Sequence, residues 1–327
     1  MTAKLKNRVK ALIIGISGQD GPFLAKFLLA KNYEVFGTSR NLDNANFGGL
    51  EFLGVLSEVK LFQMCPKSYD EVFHIISTIQ PDEIYNLSGQ SSVSLSFKQP
   101  TEAIKSIAGA TLNILESLRL IDGETKFYNA GSGEVFGDTH GTPASENTPF
   151  DPVSPYGVAK TEAALQVNLY RNVYGLHACT GILFNHESFL RPNDYVTKKI
   201  VEACCRIGKG SVEKLLLGNI KISRDWGYAP EYVEAMWAML QEPTAQDFII
   251  ATGRSVSLEY FVDVAFAYFG LDWKEHVVID SRYIRDSEIM VGAADPGKAH
   301  SVLNWKAIYT VEDLVRNMIE HNLNLTS

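Results

Sequence analysis

Apolar and polar positions along the first 184 residues follow two alternating rhythms. Val9-Lys10-Ala11-Leu12-Ile13-Ile14-Gly15 is a short, β-branched apolar run that stops at glycine, as expected for a strand buried on both faces of a parallel sheet. From Asp20 to Lys31 the apolar residues Phe23, Leu24, Phe27, Leu28 and Leu29 recur at helical spacing, and Glu34-Val35-Phe36-Gly37-Thr38 is strand-like again. Further strands are predicted at 59–63, 83–87, 126–130 and 178–184, with helices at 69–78, 100–120 and 155–174 between them. This alternation predicts an α/β fold, a Rossmann-type doubly wound parallel sheet.

Past residue 184 the order loosens. Helical spacing returns at 195–208, 230–241, 257–269 and 311–322, with a strand-like run at 214–217. Residues 1–184 are expected to form the first domain and 185–327 a smaller mixed α/β lobe, with a return of the later chain to the first domain left open. In open α/β sheets ligands bind beyond the carboxyl ends of the strands. Gly15, Arg40, Leu87 and Ser132 fall at that edge.

Composition narrows the chemistry. The chain has 327 residues, 46% of them hydrophobic, and a mean hydropathy of −0.04, enough apolar material for a large core. A net charge of −8 argues against nucleic acid or an anionic membrane as partner, so an anionic substrate has to be met by local arginines and lysines. Cys65, Cys179, Cys204 and Cys205 have no metal-ligand spacing, which suits a reduced, cytoplasmic protein with no metal. The basic N-terminus leads into a strand instead of an apolar signal core, and no run approaches the roughly 18 apolar residues of a membrane span.

Three motifs carry chemistry. Gly15-Ile16-Ser17-Gly18-Gln19-Asp20-Gly21 joins the first strand to the first helix. Its glycines permit a tight turn, and the helix start offers free N–H groups to a pyrophosphate. An ordinary strand-to-helix turn is the competing reading. Arg40 ends the second strand, where an NAD site carries an acidic residue, and so favours the 2′-phosphate of NADP. Tyr156 and Lys160 lie four residues apart on one helix face, where an ammonium favours the phenolate and equips the pair as a base. Just upstream, Ser132 and Glu134 offer a hydroxyl and a second acid/base, although a small-residue turn explains that segment equally well in isolation.

Asn185-His186-Glu187-Ser188 follows an apolar strand and is read either as satisfied structural side chains or as ligand contacts. Arg224 and Arg285 stand in otherwise plain loops; a solvated charge is the usual reading, and an anion clamp the alternative.

In this order the motifs resemble the extended short-chain dehydrogenase/reductase family, and within it the GDP-mannose 4,6-dehydratases. The likeness runs from the Gly-Gln-Asp-Gly turn through Glu83-Ile84-Tyr85-Asn86-Leu87, Gly181-Ile182-Leu183-Phe184-Asn185-His186-Glu187-Ser188 and Arg224-Asp225-Trp226-Gly227-Tyr228-Ala229 to Asn304-Trp305-Lys306. The resemblance implies Ser132, Glu134, Tyr156 and Lys160 as the catalytic group. It implies Gly15, Gly18, Gln19, Asp20, Gly21, Arg40, Leu87, His186 and Arg191 at an NADP cofactor. Asn185, Lys199, Arg224, Arg285 and Glu288, with Ser132 and Glu134, are then expected at a GDP-sugar. The implied reaction is C4 oxidation, loss of water across C5 and C6, and hydride return to C6. A 4-keto-6-deoxy-sugar reductase or epimerase, and a silent nucleotide-sugar or NADP-binding protein, are the alternatives. Family members assemble as homodimers or homotetramers, and either is expected here.

Overall fold

The computed structural model describes residues 8–121, 124–283 and 287–325. Its strands are β1 (Lys10–Ile14), β2 (Glu34–Ser39), β3 (Lys60–Gln63), β4 (Glu83–Asn86), β5 (Lys126–Ala130), β6 (Ala178–Leu183), β7 (Asn185–Glu187), β8 (Leu215–Leu217), β9 (Ser223–Tyr228), β10 (Phe248–Ile250), β11 (Ser255–Ser257) and β12 (Val277–Ile279). Seven of them form one parallel sheet in the order β10-β6-β5-β4-β1-β2-β3. The winding direction reverses between β1 and β4, the place where a doubly wound sheet opens a crevice. Strands β11, β9 and β7 form a second sheet, and β12 and β8 a third.

Register brings the carboxyl ends to one edge. Ile14 pairs with Thr38 of β2 and Asn86 of β4; Asn86 pairs with Asn129, Ala130 with Gly181, and Leu183 with Ile250. The β4 and β5 ends are pinned together by a buried link, Asn86 Nδ2 donating to Asn129 Oδ1 at 3.1 Å. Strand β10 lies in the later half of the chain, and the helix Ala229–Gln241 packs against the helix Asp20–Ala30, β5 and β6. Residues 229–250 thus belong spatially to the first sheet. Two apolar layers cover it, one centred on Leu24, Tyr85, Tyr232 and Phe248, the other on Leu12, Ile76, Leu115 and Phe127. A separate core around Ile200, Trp226, Phe261 and Val315 supports the second lobe.

Two local differences from the sequence expectation bear on the site. The helix expected over 100–120 contains a π-helical turn, Lys105–Gly109, between Pro100–Ile104 and Ala110–Ile121. The extra residue fits the turn to the loop after β4: Ser106 Oγ accepts from Gln90 N at 3.3 Å, and Ile107 packs with Tyr156. The segment 223–228, expected as a loop, is strand β9. Its charged residues hide the alternation because Asp225 points inward and accepts from the backbone N–H groups of Thr252 and Gly253 at 2.9 and 2.7 Å.

Candidate active site

The helix Pro155–Tyr174 starts cleanly. Ser154 caps it, its Oγ accepting from Gly157 N at 3.0 Å, and Pro155 occupies the first helical position. Its buried face carries Tyr156, Ala159, Lys160, Ala163 and Val167. Gly157 presses against the preceding segment so closely that a Cβ there would stand 2.9 Å from the Glu134 carbonyl. That approach brings the short helix Gly133–Phe136, capped by Ser132, beside Tyr156. Tyr156 N donates to Ser96 Oγ at 3.2 Å, and Lys160 Nζ donates to the Ala130 carbonyl at 2.6 Å, with its charge 5.8 Å from the Tyr156 ring centre. Ser132, Glu134, Tyr156 and Lys160 therefore gather at the ends of β5 and its neighbours.

Burial dominates the electrostatics of this pair. It pushes the Tyr156 phenol above its usual range; hydrogen bonding to Ser132 pulls it down, while Tyr195 and Glu134 push it up. Lys160 is lowered by burial to about 8, with Asp20 opposing. Burial thus opposes the phenolate that the neighbouring ammonium favours. Both side chains are 8% exposed, so each charged form is costly by itself. Lys160 is still mostly protonated at pH 7, and its charge is placed to accompany the phenolate when a proton leaves.

The glycine-rich turn is tightly packed. Gly15 has φ +86°, and a Cβ on it would come 3.0 Å from the Ser88 backbone beside Leu87, whose N donates to Ile14 O at 2.9 Å. A Cβ on Gly21 would lie 2.3 Å from the Ile16 carbonyl. The helix Asp20–Ala30 begins without a side-chain cap, and Gly18 N donates to the Gly15 carbonyl at 3.1 Å just before it. Arg40 is exposed at the end of β2.

Gln19 and Asp20 turn their side chains into the protein. Gln19 Nε2 donates to His186 O at 3.0 Å and its Oε1 accepts from Ser188 Oγ at 3.1 Å. Asp20 Oδ2 lies 2.9 Å from His186 Nε2. Arg191 forms an ion pair with buried Glu187 (Nε to Oε2, 2.8 Å), and its guanidinium covers the Tyr195 ring at 3.9 Å. Tyr195 and Ser91 are two residues at this site that sequence reasoning passed over; their hydroxyls meet at 2.6 Å. The polar run Ser88 to Ser92 just past β4, and the placement of Tyr195 one turn before Lys199, were the available signals.

The second lobe brings several expected substrate residues near one another. Lys199 Nζ sits 4.9 Å from the Tyr283 ring centre, Asn219 donates to Glu288 at 3.1 Å, and buried Arg224 donates through Nη1 to the carbonyls of Ser223 and Ile289. Asn185 opens β7, in register with Trp226. Arg285 lies outside the described residues. The segment carrying Glu288 is strapped to the catalytic side: Ser287 Oγ donates to Val153 O at 3.1 Å and Met290 N to Asp138 Oδ2 at 2.7 Å.

Comparison with known proteins gives the family and the fold. The family model for GDP-mannose 4,6 dehydratase matches residues 12–318. GDP-mannose 4,6 dehydratase 1 of Arabidopsis thaliana is 44% identical over 331 residues, covering 98% of this chain and 91% of the relative. Among solved structures, UDP-glucose 4-epimerase of Thermotoga maritima with UDP-glucose superposes with a TM-score of 0.87 at 20% identity, covering 98% of this chain and 100% of that one. RMD of Pseudomonas aeruginosa complexed with NADPH gives 0.79 at 19% identity, covering 97% and 98%. The two structures share the fold; the match in sequence, spanning nearly the whole chain, decides the family. This chain belongs to the GDP-mannose 4,6-dehydratase family.

Proposed function

We propose that the protein dehydrates GDP-mannose, or a related GDP-sugar, at C4–C6 with NADP as cofactor. The observation that carries this reading is the position of Glu134, a carboxylate within electrostatic reach of the Tyr156 hydroxyl. Chemistry confined to C4 needs one base; loss of water across C5 and C6 needs a second acid/base, the role this reading gives Glu134.

The residues divide the work. Tyr156 takes the proton of the sugar 4-hydroxyl, Ser132 hydrogen-bonds the same oxygen, and Lys160 supplies the charge that accompanies the phenolate. A bound nicotinamide supplies the reversible hydride store this chemistry requires. A ketone at C4 acidifies the C5 proton, which Glu134 removes, and the resulting acid protonates the C6 hydroxyl as it leaves as water. Hydride from that store, returned to C6 together with a proton at C5, would complete a 4-keto-6-deoxy sugar with no net change of oxidation state.

The backbone of Gly15, Gly18 and Gly21, with Leu87, would cradle the dinucleotide, and Arg40 would meet the 2′-phosphate that distinguishes NADP. His186, Arg191, Gln19 and Asp20 support the same site. Asn185, Lys199, Arg224, Glu288 and Arg285 would hold the nucleotide sugar, the cations countering its diphosphate in an otherwise acidic protein.

An apolar stripe supports self-association as at least a homodimer. On the adjacent helices Ala110–Ile121 and Pro155–Tyr174, Leu112, Leu120, Leu165, Leu169 and Val173 are all exposed. No described helix is long and apolar enough to cross a membrane, and the four cysteines are free thiols, which favours a cytoplasmic setting.

The test is direct. Incubation with GDP-mannose and NADP+ should give a product lighter by one water, with no accumulation of NADPH. An unchanged nucleotide sugar in the presence of bound cofactor would overturn the substrate assignment.

A further inference from the structure

We propose that Asp20 and His186 form a part-buried ionic lock that holds the glycine-rich turn against β7, so that dinucleotide affinity depends on His186 remaining protonated. The inference rests on the reading that this turn holds the cofactor.

The geometry of the ring demands two protons. His186 Nδ1 lies 2.9 Å from the Phe184 carbonyl oxygen, which can only accept, so Nδ1 carries hydrogen. Nε2 lies 2.9 Å from Asp20 Oδ2. A neutral ring would turn a bare nitrogen lone pair on a carboxylate oxygen, a repulsive contact. The imidazolium satisfies both acceptors. The Tyr232 ring stacks on it, centroids 4.7 Å apart and planes inclined by 23°, offering its π face to the cation. Side-chain exposures of 12% and 17% leave little room for water to replace either partner.

The surrounding charges agree. Burial works against the imidazolium, and the charge and hydrogen bond of Asp20 outweigh it, holding the His186 proton above its usual range; Arg191, from the loop beyond β7, opposes. Burial likewise opposes ionisation of Asp20, and His186 and Arg191 outweigh it, keeping the carboxyl below its usual range. Arg191 is itself balanced by Glu187. Lys160 on the catalytic helix and Tyr128 on β5 also feel Asp20, while Tyr232 approaches from the helix Ala229–Gln241.

The lock acts where the dinucleotide would sit. Asp20 is the first residue of the helix whose N–H groups face the ligand, and it lies between Gln19 and Gly21. Gln19 adds two further ties, to His186 O and Ser188 Oγ. Residues far apart in the chain thereby hold the turn in its binding shape. Loss of the proton as pH rises through the raised value would break the central tie and loosen the helix start.

NADPH affinity should be measured by the change in nicotinamide fluorescence from pH 7 to 10, where the 2′-phosphate is already ionised. Wild type is expected to bind tightly at pH 7 and weaken by about tenfold across an inflection above the ordinary histidine value of ~6.5. His186→Gln and Asp20→Asn should bind about tenfold more weakly at pH 7 and lose the histidine inflection, keeping only whatever change accompanies Lys160, which is lowered to about 8. Tight wild-type binding that stays level to pH 10, or wild-type affinity in His186→Gln, would overturn the lock. If neither variant folds, nitrogen-15 histidine spectra of the wild-type protein at pH 8 decide: a doubly protonated ring supports the lock, and its absence refutes it. Failure of NADPH to bind at any pH would count against the cofactor assignment, and the spectra would still judge the ion pair.

Discussion

At Tyr156 a nearly buried phenol stands between Ser132, which favours its ionisation, and Glu134, which opposes it. Such a group transfers a proton only while substrate and Lys160 share the charge. Tyr156→Phe removes the acid/base and keeps the ring, so turnover should fall by about 10²–10⁴-fold, with GDP-mannose affinity within about twofold of wild type by calorimetry. Glu134→Gln should separate the two halves of the reaction. Oxidation at C4 should persist, seen as a transient of reduced cofactor in a single turnover, while water loss falls by about 10²-fold or more. Equal loss of both steps would remove Glu134 from the elimination. Tyr156 and Lys160 could be paired from the chain because helical spacing places them one turn apart. The meeting of Tyr195 with Ser91, 104 residues away, leaves no such local mark.

The elements that shape the site are short and crowded. In the glycine-rich turn, Gly21 packs onto the Ile16 carbonyl with no room for a methyl group. Gly21→Ala should therefore destabilise the fold by about 1–3 kcal/mol and weaken NADPH binding, read by denaturant titration and by fluorescence. A variant as stable as wild type would mean that the helix can shift on its strand. Most strands and helices of the first half were legible from period alone, because buried parallel strands and amphipathic helices have distinct rhythms. The π-helical turn and strand β9 were not. The former is set by contact with the loop after β4, and the latter hides its inward Asp225 behind polar residues.

Across the whole molecule, two features join distant parts. The strap at 287–290 ties the second lobe to Val153 and Asp138, immediately beside the catalytic helix. Segments more than 130 residues apart in sequence are thereby joined. If the proposed self-association uses the exposed leucines of Ala110–Ile121 and Pro155–Tyr174, assembly and chemistry can be separated by mutation. Leu165→Glu combined with Leu169→Glu should convert a dimer to a monomer in sedimentation analysis while the chain stays folded. A dimer that persists would place its interface elsewhere.

What the sequence determined by itself was periodic or local. The strand–helix alternation, the glycine spacing at 15, 18 and 21, and the helical pair Tyr156 and Lys160 all follow from neighbouring residues. Tertiary structure alone decided that Phe248–Ile250 extends the first sheet, that Arg224 is buried against Ile289, and that Gln19 and Asp20 grip His186 and Ser188. It also decided how readily Tyr156 and Lys160 carry charge. Helical spacing is a property of the backbone, whereas a side chain's dielectric surroundings and partners are known only once the chain has closed around it.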